Sequence, residues 1–302
     1  MSPPGPVSPL LWFELLLLAI LATLWGASYS FIKIGVETIA PITLIAARTL
    51  IAGTLLLAVL RTRGIAMPRD GRTWRKFLFQ AVLNSVLPFT LIAWAELRVE
   101  AGVAAILNST TPIFAFLLTA VVTRHERVTA RKLFGIIAGL GGSCLIIGMP
   151  AGDGELVPQL AIVLATVCYA GAAVFGKAFR GFDPMVPAAG SLLAGAVILC
   201  PVSLLVDHPW GLRPSTESLI ALAALSVFST AVALVIYFRL LHTLGTVGAT
   251  AQAYLRVPVG VAIGVVFLGD VMAPAAWAGL AAVVVGVICM TLPDRRPRTV
   301  PG

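Results

Sequence analysis

The stretch LATLWGASYSFIKIG, Leu21 to Gly35, lies inside an apolar segment and yet contains tryptophan, two serines, tyrosine and lysine. The apolar run continues from Leu10 past Phe31, which exceeds the about 20 residues that a helix needs to cross the hydrocarbon core of a bilayer. The stretch therefore predicts a membrane-spanning helix. Its polar side chains then require an explanation, since polar groups in a bilayer are costly.

Two faces of this predicted helix differ in character. Ala22, Gly26 and Ser30 recur every four residues, and such a stripe of small side chains lets a neighbouring helix approach closely in lipid. An adjoining face carries larger and more polar side chains: Trp25, Ser28, Tyr29 and Ile32. Part of the stretch is thus expected to pack, and part to line a polar space. An interfacial aromatic belt is the alternative for the two rings, although they lie far from either end of the span.

The composition as a whole belongs to a membrane protein. Of the 302 residues, 59% are hydrophobic and only 11% are charged, and the mean hydropathy is +1.00. A soluble globular protein is about 25% charged. The net charge of +8 could suggest nucleic acid, but the basic residues are scattered in short clusters between apolar runs, as in cytoplasmic loops. We therefore expect a lipid bilayer as the partner and no nucleic acid.

Apolar runs between charged or Pro/Gly breaks predict ten transmembrane helices in an all-α protein. The candidate spans are 10–34, 42–60, 77–97, 101–122, 132–149, 156–179, 184–206, 217–241, 247–268 and 274–292. Residues 1–9 are rich in proline, contain no lysine or arginine and are predicted to form a disordered tail.

The distribution of basic residues predicts the orientation of these spans. Arginine and lysine are concentrated in the loops near 61–76 and 124–132, and in the later loops and C-terminus on the same side. The other side carries mainly acidic residues. By the positive-inside rule, both termini are expected to be cytoplasmic.

The two halves of the chain show weak internal similarity. LATLWGASYSFIK, from Leu21, matches LATVCYAGAAVFGK, from Leu164, with a one-residue gap. Further pairs keep the same order in both halves: Pro41 with Pro184, Gly102 with Gly248, Pro112 with Pro258, Glu126 with Asp270, Gly135 with Gly279, and Gly142 with Gly286. Because five spans is an odd number, the second copy enters the membrane from the opposite face. We predict two inverted five-helix repeats, residues 1–150 and 151–302, around a central cavity.

These motifs resemble the drug/metabolite transporter superfamily, in particular its ten-helix type with paired EamA-like domains. LWGASYSFIK, AGVAAILNSTTPIFAFL and RHERVTARKLFGIIAGLGG carry the resemblance in the first half, and VGATAQAYLRVPVGVAI and LGDVMAPAAWAGLAAVVVG in the second. Within the superfamily, the sequence is most similar to bacterial amino-acid and metabolite exporters. The resemblance implies a basket of helices around a central cavity, with alternating access.

The related four-helix small multidrug exporters carry a membrane-embedded glutamate in their first helix, which exchanges protons for cationic drugs. This chain has Thr23 at that position and Thr166 in the second half, and neither can carry a proton. Glu14 lies nearer the cytoplasmic end. Proton/cation exchange by that mechanism is therefore not expected, whereas facilitated diffusion and coupling through a carboxylate such as Glu96 both stay open.

Polar and aromatic residues at membrane depth are the candidates for lining a substrate cavity. They are Trp25, Ser28, Tyr29, Asn84, Ser85, Trp94, Asn108, Thr111, Tyr169, Ser229, Tyr237, Gln252, Tyr254 and Arg256. Pro112 frees the carbonyl of Asn108 from its helix bond, and such backbone must face protein or a wet cavity. Hydrogen bonding to the helix backbone is the alternative for the hydroxyl groups.

Arg256 and Arg48 are the two arginines within predicted spans that require a reason. Either could hold a substrate carboxylate or keep the cavity positive. Alternatively, each could bond a helix carbonyl or an acid such as Glu96, or extend to the interface. Arg48 lies nearer an end of its span, which favours the structural alternative there.

The remaining patterns restrict the function. GxxxxGK[ST] and HExxH are absent, and the cysteines and histidines lack metal-ligand spacing, so we expect no enzyme, cofactor or metal site. The sequence predicts a secondary transporter that exports amino acids or similar small metabolites across the bacterial inner membrane, with broad specificity. Efflux of cationic or aromatic drugs, and sugar-phosphate or nucleotide-sugar exchange, are the alternatives. The pattern leaves the oligomeric state open.

Overall fold

The structure, a computed structural model, describes residues 9–99, 104, 107–119, 129–147, 156–256 and 274–292, and these contain helices and no strand. We number the helices α1 (Pro9–Val36), α2 (Pro41–Thr62), α3 (Gly71–Ala95), α4 (Thr111–Leu118), α5 (Ala130–Ile147), α6 (Leu156–Phe175), α7 (Met185–Val206), α8 (Thr216–Thr243), α9 (Gly245–Thr250) and α10 (Pro274–Thr291). Residues 252–256 are also helical. The prediction of an all-α fold is thus confirmed for the described residues.

Within the described residues, six helices are long and apolar enough to cross a membrane. They are Leu11–Val36, Pro41–Thr62, Gly71–Ala95, Leu156–Phe179, Met185–Val206 and Thr216–Thr243. Their bounds lie within six residues of six predicted spans, so the chain is a multi-pass membrane protein. Helices α5 and α10 are apolar and 18 residues long. The predicted spans 101–122 and 247–268 lie partly outside the described residues, as does the predicted tail apart from Pro9.

Residues at the helix ends explain several of these bounds. Pro41 occupies the first turn of α2, where its missing N–H costs no hydrogen bond. Asp70 caps α3, since its carboxylate accepts a hydrogen bond from the amide of Thr73 at 2.8 Å. That hydrogen bond lowers the pKa of Asp70. Ser215 caps α8 in the same way, with its hydroxyl oxygen 3.1 Å from the amide of Ser218.

Two of the long helices contain a π-helical segment near their middle. Val82–Val86 forms it in α3, and Val227–Val232 forms it in α8. A π segment shifts the hydrogen bonds from the i−4 to the i−5 carbonyl, which rotates the following residues and occurs frequently at functional sites. The apolar pattern of the sequence did not indicate these segments.

Glycines permit the closest packing between helices, where α5 lies along α10. A Cβ at Gly135 would lie 2.7 Å from the carbonyl oxygen of Gly286, and a Cβ at Gly286 would lie 2.7 Å from that of Gly135. A Cβ at Gly142 would lie 2.6 Å from the Gly279 oxygen. The two backbones are therefore in contact, as small-residue packing in lipid allows.

We predict that Gly135→Ala lowers stability by about 1–3 kcal/mol, because the added methyl group overpacks a rigid backbone contact. Gly141→Ala on the same helix is the control, since its Cβ would meet nothing within 4 Å. Thermal unfolding in detergent, followed by helical circular dichroism, measures both. Equal melting temperatures for the two variants would contradict the packing of α5 on α10.

Candidate functional site: a central polar cavity

A buried cavity lies between the middle sections of α1, α2, α3, α6 and α8. Helix α9, the helical residues 252–256 and the segment that leads into α4 complete its wall. Its lining residues are Trp25, Ser28, Tyr29, Ile32, Arg48, Asn84, Phe89, Ile92, Asn108, Thr111, Tyr169, Tyr237, Thr250, Gln252 and Arg256. The cavity volume is about 40 Å³, which is room for roughly three water molecules. None of these described lining residues is acidic.

Arg256 is the charged centre of the cavity. Its Nε donates to Gln252 Oε1 at 2.8 Å, and its Nη1 donates to the Tyr29 hydroxyl at 2.9 Å and to Asn108 Oδ1 at 3.4 Å. Its guanidinium carbon lies 5.0 Å from the ring centroid of Trp25, a cation–π distance. Nη2 makes no hydrogen bond to any described residue. The network thus fixes the guanidinium and leaves one nitrogen for a ligand.

Arg48 is held by protein contacts instead. Its Nε donates to Thr230 Oγ1 at 2.5 Å, its Nη2 to the Ser229 carbonyl at 3.4 Å, and its guanidinium carbon lies 3.8 Å from the ring centroid of Phe89. Trp25 Nε1 also donates to the Ser229 carbonyl, at 3.0 Å. Because Ser229 lies in the π segment of α8, that segment joins α1 and α2 to α8 beside the cavity.

Two asparagines add hydrogen-bond donors to the cavity wall. Asn108 Oδ1 already accepts from Thr111 and Arg256, but the amide nitrogens of Asn84 and Asn108 have no partner among the described residues. Together with Arg256 Nη2, the cavity therefore has three donor groups without an acceptor among the described residues. Such a surplus suits a ligand group with several anionic oxygens, for example a carboxylate.

The structure brings ten of the predicted cavity residues together. They are Trp25, Ser28, Tyr29, Asn84, Asn108, Thr111, Tyr169, Tyr237, Gln252 and Arg256. The rest of the lining adds five residues: Phe89, Ile92 and Thr250, which were not predicted, Ile32, which was placed on the same face of α1 as Trp25, and Arg48, for which a structural role was favoured. Phe89 and Ile92 are ordinary apolar membrane residues, so only the helix face on which they lie could have indicated them.

Four predicted residues lie elsewhere. Trp94 lies on the outside of the bundle and is 39% exposed. It is two residues from Ile92, which places it about 200° around the helix from that lining residue. Tyr254 is separated in the same way from Arg256; it is fully buried and donates to the Ile136 carbonyl at 3.1 Å. Ser85 and Ser229 are buried beside the cavity, and Ser229 contributes through its carbonyl rather than its hydroxyl.

Polar contacts join α1 to its neighbours at both of its ends. Near its start, Glu14 accepts from Arg239 Nη2 at 2.7 Å and from the Thr243 hydroxyl at 3.0 Å. Near its end, the Lys33 ammonium donates to the backbone carbonyl of Glu96 at 2.7 Å. The cavity thus lies between two polar layers, one toward each end of the helix.

Membrane-length helices around a central polar cavity define a multi-pass membrane protein of the kind that builds secondary transporters. The chain belongs to the EamA-like transporter family, whose sequence pattern matches residues 12–148 and again residues 157–292. The resemblance to this family is therefore confirmed.

Individual relatives cover nearly the whole chain. The uncharacterized inner membrane transporter YedA of Escherichia coli K12 is 28% identical over 271 residues, 89% of this chain and 87% of its own length. A probable terminal-alkyne amino-acid exporter of Streptantibioticus cattleyicolor is 27% identical over 285 residues, 92% of this chain and 94% of its own. A solved crystal structure shares the fold with a TM-score of 0.73 and 20% identity, and the match covers 91% of this chain and 97% of that one.

We predict that Trp25→Phe lowers stability by about 1 kcal/mol, because it removes the indole N–H that donates to the Ser229 carbonyl. Trp94→Phe is a matched control: the same atoms are removed from a partly exposed ring with no hydrogen bond to a described residue. Thermal unfolding followed by circular dichroism compares the two variants. A larger loss from Trp94→Phe would contradict the role of the indole N–H.

Proposed function

We propose that the protein is a secondary transporter that exports amino acids, or similar small metabolites with a carboxylate, across the bacterial inner membrane. The observation that carries this proposal is the surplus of donors at Arg256, Asn84 and Asn108 in a cavity without an acidic lining residue among those described. One relative is named as a probable exporter of an amino acid and another as an inner membrane transporter, which supports the substrate class and the location.

In this proposal the substrate carboxylate binds Arg256 Nη2 and the amide nitrogens of Asn84 and Asn108. Two aromatic rings offer cation–π contacts to an α-ammonium group. They are Trp25, which already lies beside the Arg256 guanidinium, and Tyr237, whose ring centroid is 5.3 Å from that of Trp25. Aromatic and aliphatic walls bind different side chains with similar strength, which favours broad specificity. The small volume requires the lining to move when substrate enters.

We further propose alternating access by ten spans in two inverted repeats, residues 1–150 and 151–302, with both termini in the cytoplasm. The packing of the helices supports this: α1 lies against α8, and α6 lies against α3, which is the same pairing with the halves exchanged. The π segments also occupy equivalent spans, the predicted third and eighth. The family pattern, matched twice, supports the same division.

The alternative substrates differ in how they suit the cavity. A cationic drug would meet two buried guanidinium groups and no described acidic lining residue, which is unfavourable. The donors would also bind a sugar phosphate. However, a phosphate group carries more negative charge than one guanidinium nitrogen of Arg256 and two neutral amide groups are expected to neutralise. A carboxylate matches this donor set better.

Uptake of labelled amino acids into proteoliposomes tests the proposal. We predict that Arg256→Gln raises KM by about tenfold or more, because a charge-assisted hydrogen bond contributes roughly 1.5–3 kcal/mol and each 1.4 kcal/mol is tenfold in affinity. Arg72→Gln, which changes an exposed arginine at the start of α3, is the control and should leave KM unchanged.

The same assay separates the proposal from its alternatives. Amines that lack the carboxylate but keep the side chain should be poor substrates of the wild type, and Arg256→Gln should not weaken them further. Transport of such amines or of cationic drugs in preference to amino acids would overturn the proposal. Uptake of phosphorylated sugars in place of amino acids would overturn the carboxylate assignment.

A further inference from the structure

Glu96, at the C-terminal end of α3, is a fully buried carboxylate without a partner. Its side chain has 0% exposure, and neither carboxylate oxygen accepts a hydrogen bond from any described residue. Glu14 is the contrasting case, because it is equally buried, at 2% exposure, but is paired with Arg239 and Thr243. Among the described residues, Glu14 and Glu96 are thus the two buried glutamates, and only Glu14 has a partner there.

The cations near Glu96 are close without bonding its carboxylate. Lys33 on α1 donates its ammonium to the backbone carbonyl of Glu96, and Arg48 on α2 donates to Thr230 and the Ser229 carbonyl. Tyr29, one turn before Lys33, is the other titratable group on α1 that faces this region, and it bonds Arg256. The carboxylate therefore has positive neighbours but no ion pair with a described residue.

Physical chemistry restricts the state of such a group. An ionised carboxylate that is buried without hydrogen bonds or an ion pair costs several kcal/mol, and neutralisation by a proton avoids that cost. A small movement that admitted water, or that turned Lys33 or Arg48 toward the carboxylate, would favour the ionised form. Glu96 can therefore change its protonation state when the helices around it move.

The position of Glu96 connects it to the cavity. Ile92, one turn earlier on α3, and Tyr29, on the facing helix, both line the cavity. Arg48 belongs to the cavity lining and also lies near Glu96. A rearrangement of α1 or α2 during transport would therefore alter the cavity and the surroundings of Glu96 together.

The second half of the chain carries a titratable residue at the equivalent position. Leu87 and Ala233 are the first residues after the two π segments, and Glu96 and His242 follow them at the same separation. His242 Nε2 is likewise buried without a partner among the described residues, in a region where Arg180 supplies the nearby positive charge. In inverted repeats, these two positions lie toward opposite sides of the membrane.

We propose that Glu96 is a proton-binding site that couples transport to the proton gradient. The inference rests on the proposed transport function and adds the energy source. Glu96 holds a proton in the conformation described here. In the alternative conformation the proton passes from the carboxylate to water on the side to which the site has opened, and the ionised carboxylate is stabilised by Lys33 or Arg48 until it is protonated again.

Proteoliposomes with a trapped pH-sensitive dye test this inference. We predict that a pH gradient stimulates amino-acid uptake by the wild type, and that the dye reports proton movement in response to substrate. Glu96→Gln should lose both responses while it retains exchange of labelled for unlabelled substrate at equal pH. Glu14→Gln is the matched control, because its glutamate is ion-paired, and it should retain the response to the gradient.

The outcomes separate the two proposals. Wild-type uptake that is insensitive to the gradient, or uptake by the Glu96→Gln protein that still responds to it, would overturn the proton site and leave the transport function intact. If the wild type moves no amino acid, the transport proposal fails, and infrared spectroscopy still tests Glu96 directly. The acid-minus-alkaline difference spectrum should contain a protonated-carboxyl band that Glu96→Gln removes and Glu14→Gln keeps, and a spectrum unchanged by Glu96→Gln would overturn the assignment.

Discussion

The structure depends on the carbonyl of Ser229, which receives hydrogen bonds from two side chains inside the membrane. A span has no water to satisfy its backbone, so a carbonyl released from the helix must be bonded by protein or face a wet cavity. The Ser229 carbonyl lies in the π segment of α8, and Trp25 and Arg48 donate to it from α1 and α2. One irregular turn thus fixes three helices around the cavity.

This arrangement gives the two buried arginines different roles. Arg48 directs its donors into the bundle and stacks on Phe89, so it closes the wall of the cavity. Arg256 is oriented by the neutral groups of Gln252, Tyr29 and Asn108. Neutral partners fix a guanidinium without cancelling its charge, and the charge therefore remains for a ligand. Sequence alone favoured a structural role for Arg48 from its depth and left both roles open for Arg256, because the distinction is made by their partners.

Much of the fold, but less of the cavity, follows from the sequence. Apolar runs located the six long helices because the length of a span is set by bilayer thickness. Placing side chains on a face also requires the rotation of each helix, which apolar runs do not specify: Trp94 and Tyr254 each lie two residues from a residue that lines the cavity in the structure. The π segments rotate α3 and α8 further, and no local pattern marks them. Phe89 and Ile92 were not predicted because the residue type of an apolar side chain does not show whether it faces a cavity or lipid.

Helix α1 connects the cavity with polar contacts at both of its ends. Its middle supplies Trp25 and Tyr29 to the cavity, its start contacts α8 through Glu14, and its end contacts α3 through Lys33. When a rigid helix tilts about its middle, its two ends move in opposite directions, and the contacts at both ends change together. Glu14, paired with Arg239, lies at one end of α1, and Glu96 of α3, which has no side-chain partner among the described residues, lies beside the other. The two ends of α1 therefore differ: Glu14 of α1 is bonded to Arg239, whereas Glu96 of α3 is proposed to be protonated, and loss of its proton would strengthen its attraction to Lys33 of α1.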